Sequence, residues 1–245
     1  MRKASSYVTG KAGTTVAITL ARHDRRIRLR ITRANLSAGF TTSRLVRRGG
    51  ERIGVVRLTQ FGPGAHADLI KALKRLERRG AKRYVLDLRD NGGGLVSEAR
   101  LVASVFLRDG TIVSMRGRTV KSQTLKATGD PLLPIAPLVV LVNRNTASAS
   151  EIVAGALQDR KRAEIVGTRT FGKGVFQQVI ELSNGGALDI TAGQYFLPSG
   201  RNLGGRGTST GDGLAPDVRA SDNLETKPDE ALQRAVAVVA AERAP

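Results

Sequence analysis

Three short segments hold the residue types from which a reaction could be assembled. The first is Asp87-Leu88-Arg89-Asp90-Asn91-Gly92-Gly93-Gly94, where three consecutive glycines follow an apolar run and precede a helical one. Residues without a Cβ let the backbone bare its N–H groups to a ligand at a strand-to-helix junction, where α/β folds put their sites. The run reads either as an oxyanion-binding turn or as a flexible connection. The second segment is Asn143-Arg144-Asn145-Thr146-Ala147-Ser148-Ala149-Ser150-Glu151, again between an apolar strand and a helix. A serine at a helix start is usually a cap, and Ser150 with Glu151 suits that role. Ser148 also suits another, because its hydroxyl and the N–H of Ala149 would face one point, as a nucleophile and an oxyanion donor must.

The third segment, Gly167-Thr168-Arg169-Thr170-Phe171-Gly172-Lys173-Gly174, matches most of a phosphate-binding loop. Position 174 is Gly where that loop needs Ser or Thr for magnesium, and Val175 to Leu182 has strand rather than helix character, which disfavours nucleotide binding. A lysine between two glycines and beside Phe171 reads instead as a buried amine. Free alkylamines titrate near about 10.4, and drying one lowers that value toward the range useful to a base near neutrality. The two histidines offer no rival: His23 lies in an Arg-rich hairpin and His66 at the start of an amphipathic helix, both expected at the surface. If a serine attacks, lysine is the better base, a known variant of triad chemistry. No metal site is expected, since no His pair has ligand spacing and cysteine is absent, and no cofactor is implied.

These segments sit on a regular frame. Ile53 to Leu58, Tyr84 to Leu88, Thr111 to Met115, Leu138 to Val142 and Ala163 to Val166 read as strands, and Ala65 to Arg79, Val96 to Leu107 and Ala147 to Gln158 as helices. That alternation predicts an α/β layered fold. Residues 175 to 197 are strand-rich, and Thr226-Lys227-Pro228-Asp229-Glu230 reads as the opening of a last helix, with an N-cap, an early proline and acidic first-turn residues. Upstream, Val16, Ile18 and Leu20 alternate with small polar residues, and Ile27, Leu29 and Ile31 alternate with arginines, predicting a hairpin turning at His23-Asp24. The stretch ending in Arg47-Arg48-Gly49-Gly50 reads as a linker.

The chain has 245 residues, 40% of them hydrophobic, enough for one large core. No apolar run approaches the length of a membrane helix, and Met1-Arg2-Lys3 is not followed by the apolar core of a signal peptide. Net charge is +19, and residues 1 to 52 hold 13 Lys and Arg against two acidic residues, so the excess is regional. With 4% aromatic residues and no Trp, platforms for stacking bases are scarce, and the charge reads as a solvated strand face rather than a nucleic-acid surface.

Taken together, the motifs resemble the C-terminal processing peptidases, or tail-specific proteases, a serine peptidase family of the S41 type with Ser/Lys chemistry. The resemblance rests on Gly54 to Phe61, Asp87 to Gly94, Thr146 to Asp159, Thr170 to Gly174, Tyr195 to Gly200 and Gly213 to Val218. It implies a crotonase/ClpP-like β-α layered core over 52–220, preceded by a partial PDZ-like hairpin at 1–35 and a linker at 36–51, and followed by a C-terminal helix at 221–245. The hairpin resembles only the C-terminal half of a PDZ domain. The resemblance further implies that Ser148 attacks the scissile carbonyl, Lys173 moves its proton and Gln177 orients the amine. The N–H of Ala149, with that of Gly93 or Gly94, would hold the oxyanion. The expected activity is endoproteolysis of protein or peptide substrates near their C-termini, through an acyl-enzyme and in an extracytoplasmic compartment. The alternative is a ligand- or peptide-binding protein on the same scaffold, without hydrolysis. The stretch Gly204 to Asp212 departs from the family pattern and reads as a surface loop.

Overall fold

A computed structural model of the chain describes residues 7–22, 25–34, 39–118, 120–204, 211–222 and 227–242. Contacts divide it into two units, Met1–Ala38 and Gly39–Pro245.

The first unit is the expected hairpin, β1 (Thr15–Arg22) and β2 (Arg25–Thr32). Antiparallel register sets Val16 opposite Ile31, Ile18 opposite Leu29 and Leu20 opposite Ile27, so the apolar sets share one face. Arg33 closes its open end, with Nε donating to the Val8 carbonyl at 2.7 Å and Nη1 to Thr14 Oγ1 at 2.9 Å. The His23-Asp24 turn lies outside the described residues.

In the second unit the frame begins with β3 (Thr41–Arg48), β4 (Glu51–Leu58), α1 (Ala65–Arg78), β5 (Arg83–Asp87) and α2 (Val96–Ser104). Next come β6 (Thr111–Arg116), β7 (Gln123–Lys126), β8 (Leu138–Val142), α3 (Ala149–Asp159) and β9 (Glu164–Gly167). The chain ends with β10 (Val175–Glu181), β11 (Ala187–Phe196), β12 (Val218–Arg219) and α4 (Glu230–Ala241).

A six-stranded sheet runs β12-β9-β8-β5-β4-β3 and a four-stranded sheet runs β10-β11-β6-β7. All pairings in the larger sheet are parallel except that of β3, which lies antiparallel to β4 at the edge. Successive residues of the central strands enter different cores. Val56, Leu58, Leu86, Val140 and Val142 pack with α1, α2 and α3, whereas Ile53, Val55, Val85, Val139 and Leu141 pack with α4. A parallel strand buried on both faces must be apolar throughout, which is why these strands read as unbroken hydrophobic runs. Fully burying each such side chain contributes about 1.5 to 3 kcal/mol, so this layering dominates the unit's stability.

One reading needs correction. Residues 41–48, expected inside a linker, form β3, hydrogen-bonded along β4 from Thr41↔Leu58 to Arg48↔Glu51. An edge strand with one open side tolerates charge, and its arginines hid the alternation of Leu45 and Val46. Other boundaries shift slightly. α3 starts at Ala149 rather than Ala147, leaving Ser148 at the turn before it. α4 is capped by Asp229, whose side chain accepts from the Leu232 N–H at 2.8 Å; Thr226 and most of the Gly204 to Asp212 stretch lie outside the described residues. No helix among the described residues is long and apolar enough to cross a membrane.

Candidate active site

Parallel strands β5 and β8 end side by side, and each leads through a short turn into a helix. The turn after β5 carries the glycines and the turn after β8 carries Ser148. Asn91, fully buried, ties them together. Its carbonyl accepts from Ala147 N at 3.1 Å and Ser150 Oγ at 2.9 Å, while its Nδ2 donates to the Leu58 carbonyl at 2.9 Å. Thr146 Oγ1 adds a bond to the Leu88 carbonyl at 2.9 Å. Asp90 Oδ1 accepts from Asn143 and Asn145, each at 2.9 Å, and these bonds hold its carboxyl below the usual range.

Ser148 has φ 57° and ψ −119°, a left-handed conformation that costs a residue with a Cβ about 1 to 3 kcal/mol. Gly93, at φ 104°, comes so close that a Cβ there would meet Ser148 Cβ at 2.8 Å and Ala149 N at 2.9 Å. Only glycine fits. Gly94, at φ 142°, lies against the Phe61 backbone, with Leu95 N donating to the Phe61 carbonyl at 2.8 Å. The N–H of Gly93 is committed to Asn91 Oδ1 at 2.9 Å. Among the described residues the N–H groups of Gly94 and Ala149 have no hydrogen-bond acceptor.

Glu151 joins the serine turn to the lysine loop. Its carboxylate is fully buried, and Oε2 accepts from Ser148 N and Lys173 N, both at 2.9 Å. The two backbone nitrogens therefore lie on one oxygen. Oε1 accepts from Gly172 N at 2.7 Å and Thr170 Oγ1 at 2.5 Å. Burial pushes the Glu151 carboxyl up from its ordinary value, and these four donors pull it partly back. Thr170 Oγ1 in turn accepts from Leu214 N at 2.7 Å, which draws the Gly213 to Val218 motif onto the lysine loop. Sequence reasoning took Glu151 for the partner of a Ser150 cap. The spacing of Ser148 and Glu151, that of a capping box, was the available signal.

Lys173 is half-buried rather than dried out, and its Nζ donates to Gln177 Oε1 at 2.9 Å. The hairpin that follows is exposed along most of β10 and β11, so water reaches this end of the loop. Among the described residues Lys173 Nζ makes no hydrogen bond to Ser148 Oγ. His66 is half-buried, with Nδ1 2.8 Å from Glu98 Oε2; His23 lies outside the described residues.

Behind the glycine turn stands a network that sequence reasoning missed. Arg89, 11% exposed, contacts Asp87 Oδ2 at 2.8 Å and Asp229 Oδ2 at 2.7 Å through Nη2. Burial disfavours its charge, but hydrogen bonds to the two carboxylates outweigh that and raise its pKa. The pair thus fastens α4 to the strand that carries the glycine turn.

This layered α/β fold is similar to that of solved peptidase structures. One is a photosystem II D1 C-terminal processing protease, with TM-score 0.66 and 32% identity over all of this chain and 64% of that one. Peptidase family S41 matches residues 52–220, and the chain belongs to that family. A carboxyl-terminal-processing protease of Picosynechococcus sp. is 42% identical over 81% of this chain and 48% of its own length. A carboxy-terminal-processing protease of Bartonella bacilliformis is 38% identical over 93% of this chain and 52% of its own. The chain spans about half the length of the curated relatives it matches.

Proposed function

We propose that this chain carries the catalytic core of a serine endopeptidase that cleaves protein substrates near their C-termini. Ser148 is the nucleophile, Lys173 the general base and Gln177 the residue that orients the amine. Carrying this reading is the join made by Glu151: one carboxylate oxygen holds the backbone of Ser148 and of Lys173, and the Ala149 N–H beside the serine has no acceptor among the described residues. In its neutral form the Lys173 amine takes the Ser148 proton as Oγ bonds to the scissile carbonyl carbon. The oxyanion is met by Ala149 N–H and by a glycine N–H. Of the two candidates, Gly94 is favoured over Gly93, whose N–H already serves Asn91. The protonated amine then gives its proton to the departing nitrogen, leaving an acyl-serine that water hydrolyses by the same route.

Support for an action near C-termini comes from the relatives, which are carboxyl-terminal-processing proteases, and for an extracytoplasmic setting from the family resemblance. The hairpin of the first unit is read as the C-terminal half of a PDZ-like module. Ser148→Ala and Lys173→Ala are expected to abolish hydrolysis of an unfolded protein while leaving the melting temperature in place. An acylating serine probe should label the unaltered chain once, at Ser148. Undiminished turnover in both variants would refute the assignment.

A further inference from the structure

The groove between β3 and α4 carries charge that the proposed reaction does not use. β3 ends the six-stranded sheet, so among the described residues its outer side has no strand partner. Two cavities meet here, sharing Arg44 and Asp229. The smaller, about 320 Å³, reaches inward to Arg57, Asp87 and Arg89. The larger, about 650 Å³, extends outward past Arg47, Arg48 and Lys227 over a floor of Val46, Leu232 and Val236. Arg89 is neutralised by Asp87 and Asp229, and Arg57 pairs with Asp90. Arg44, Arg47, Arg48 and Lys227 form no ion pair among the described residues.

Three features decide what fits. Val46 packs in the same apolar cluster as α4, so strand alternation sends Arg44 and Arg48 to that side as well. A chain added beside β3 would set one residue opposite each of these, giving the pattern acidic-x-aliphatic-x-acidic. The open edge supplies backbone donors and acceptors that an extended peptide can match and a phosphodiester chain cannot. Among the described residues no aromatic side chain lines either cavity, so bases would find nothing to stack on.

We propose that this groove docks an extended acidic stretch of the protein substrate, added as a strand to β3 with its carboxylates on Arg44 and Arg48. The identity of the occupant as substrate rests on the peptidase reading above. Arg89, at the inner end, is four residues from Gly93, so at most roughly 14 Å of chain separates the groove from the glycine turn.

The binding test uses the full chain with Ser148→Ala and a labelled heptapeptide bearing Glu at its second and sixth positions, Val at its fourth and Thr elsewhere. Fluorescence anisotropy should report binding that weakens with salt. Affinity should fall about tenfold or more with Arg44→Gln/Arg48→Gln, with Gln for both Glu, or with Pro on either side of the Val, since Pro removes ladder donors. Arg48→Gln alone serves if the double variant melts early. Unchanged affinity in the arginine variants, equal binding of the Pro peptide, or equal competition by oligothymidylate of matched charge would overturn the proposal. In the active chain, fusing the heptapeptide to a cleaved substrate should lower KM without altering kcat, and the arginine variants should remove that gain. If the chain hydrolyses nothing, the peptidase reading fails, whereas the binding arm still decides the groove.

Discussion

Replacing Glu151 by Gln keeps size and shape and changes only what the two terminal atoms can accept. Each carboxylate oxygen takes two donors: Ser148 N and Lys173 N on Oε2, Gly172 N and Thr170 Oγ1 on Oε1. A Gln amide offers one oxygen and one NH2, so whichever way it lies the NH2 confronts two donors. Turning the Thr170 hydroxyl moves the problem rather than removing it: its oxygen can accept from Leu214 N and the NH2 together, but its proton then loses the Glu151 acceptor. A hydrogen bond to a charged group is worth about 1.5 to 3 kcal/mol, so losing two would cost about 3 to 6 kcal/mol. Partial access of water to the Ser148 and Lys173 amides, and relief from burying a carboxylate, reduce this to about 2 to 4 kcal/mol. For a chain of this size that is a fall in Tm of roughly 5 to 15 °C. Because the serine and lysine turns lose their common anchor, kcat should drop by about a hundredfold or more. The measurements are a thermal melt and a protein-hydrolysis assay, run side by side on the parent and the variant. A Glu151→Gln chain that melts within about 2 °C of the parent and turns over normally would refute the anchoring role.

Gly93→Ala should combine left-handed strain with collision against the Ser148 turn, costing about 2 to 6 kcal/mol and most of the activity, read by melting and turnover. Tyr195 is 1% exposed and its hydroxyl has no hydrogen-bond partner among the described residues. Tyr195→Phe is therefore expected to raise stability, by up to about 1 kcal/mol in a denaturant titration, and a clear loss would reveal a hidden partner. Burial raises the Glu98 carboxyl, but the N–H groups of Gly64 and His66 outweigh it and hold the pKa below its ordinary value. With the folded value depressed, its stabilisation is present above the unfolded pKa and is lost as pH falls through the folded one. The difference in denaturation midpoint between the parent chain and Glu98→Gln should accordingly shrink between about pH 6 and pH 3.

Which residues could react was legible without coordinates, because Ser148, Lys173 and the glycines sit in local motifs at element junctions. The layered frame was legible too: β4, β5 and β8 are buried on both faces, and a strand in that position can hold little but apolar residues. Periodicity reports such one-dimensional demands well. It failed at β3, where an open edge lets arginines into a strand.

What only the folded chain decided are the partnerships across long separations. Asn91 links turns 59 residues apart through Ser150, Glu151 reaches 22 residues on to Lys173, and Arg89 reaches 140 residues to Asp229. Each is a buried polar group whose desolvation must be offset by a partner, and nothing in the local pattern says which partner arrives. Lys173 makes the same point for exposure: its neighbours in sequence suggested a dry pocket, but the solvated hairpin after it leaves the amine half-open on Gln177. Residue type and spacing determine what chemistry is available, and the packing of distant segments determines which groups are held close enough to use it.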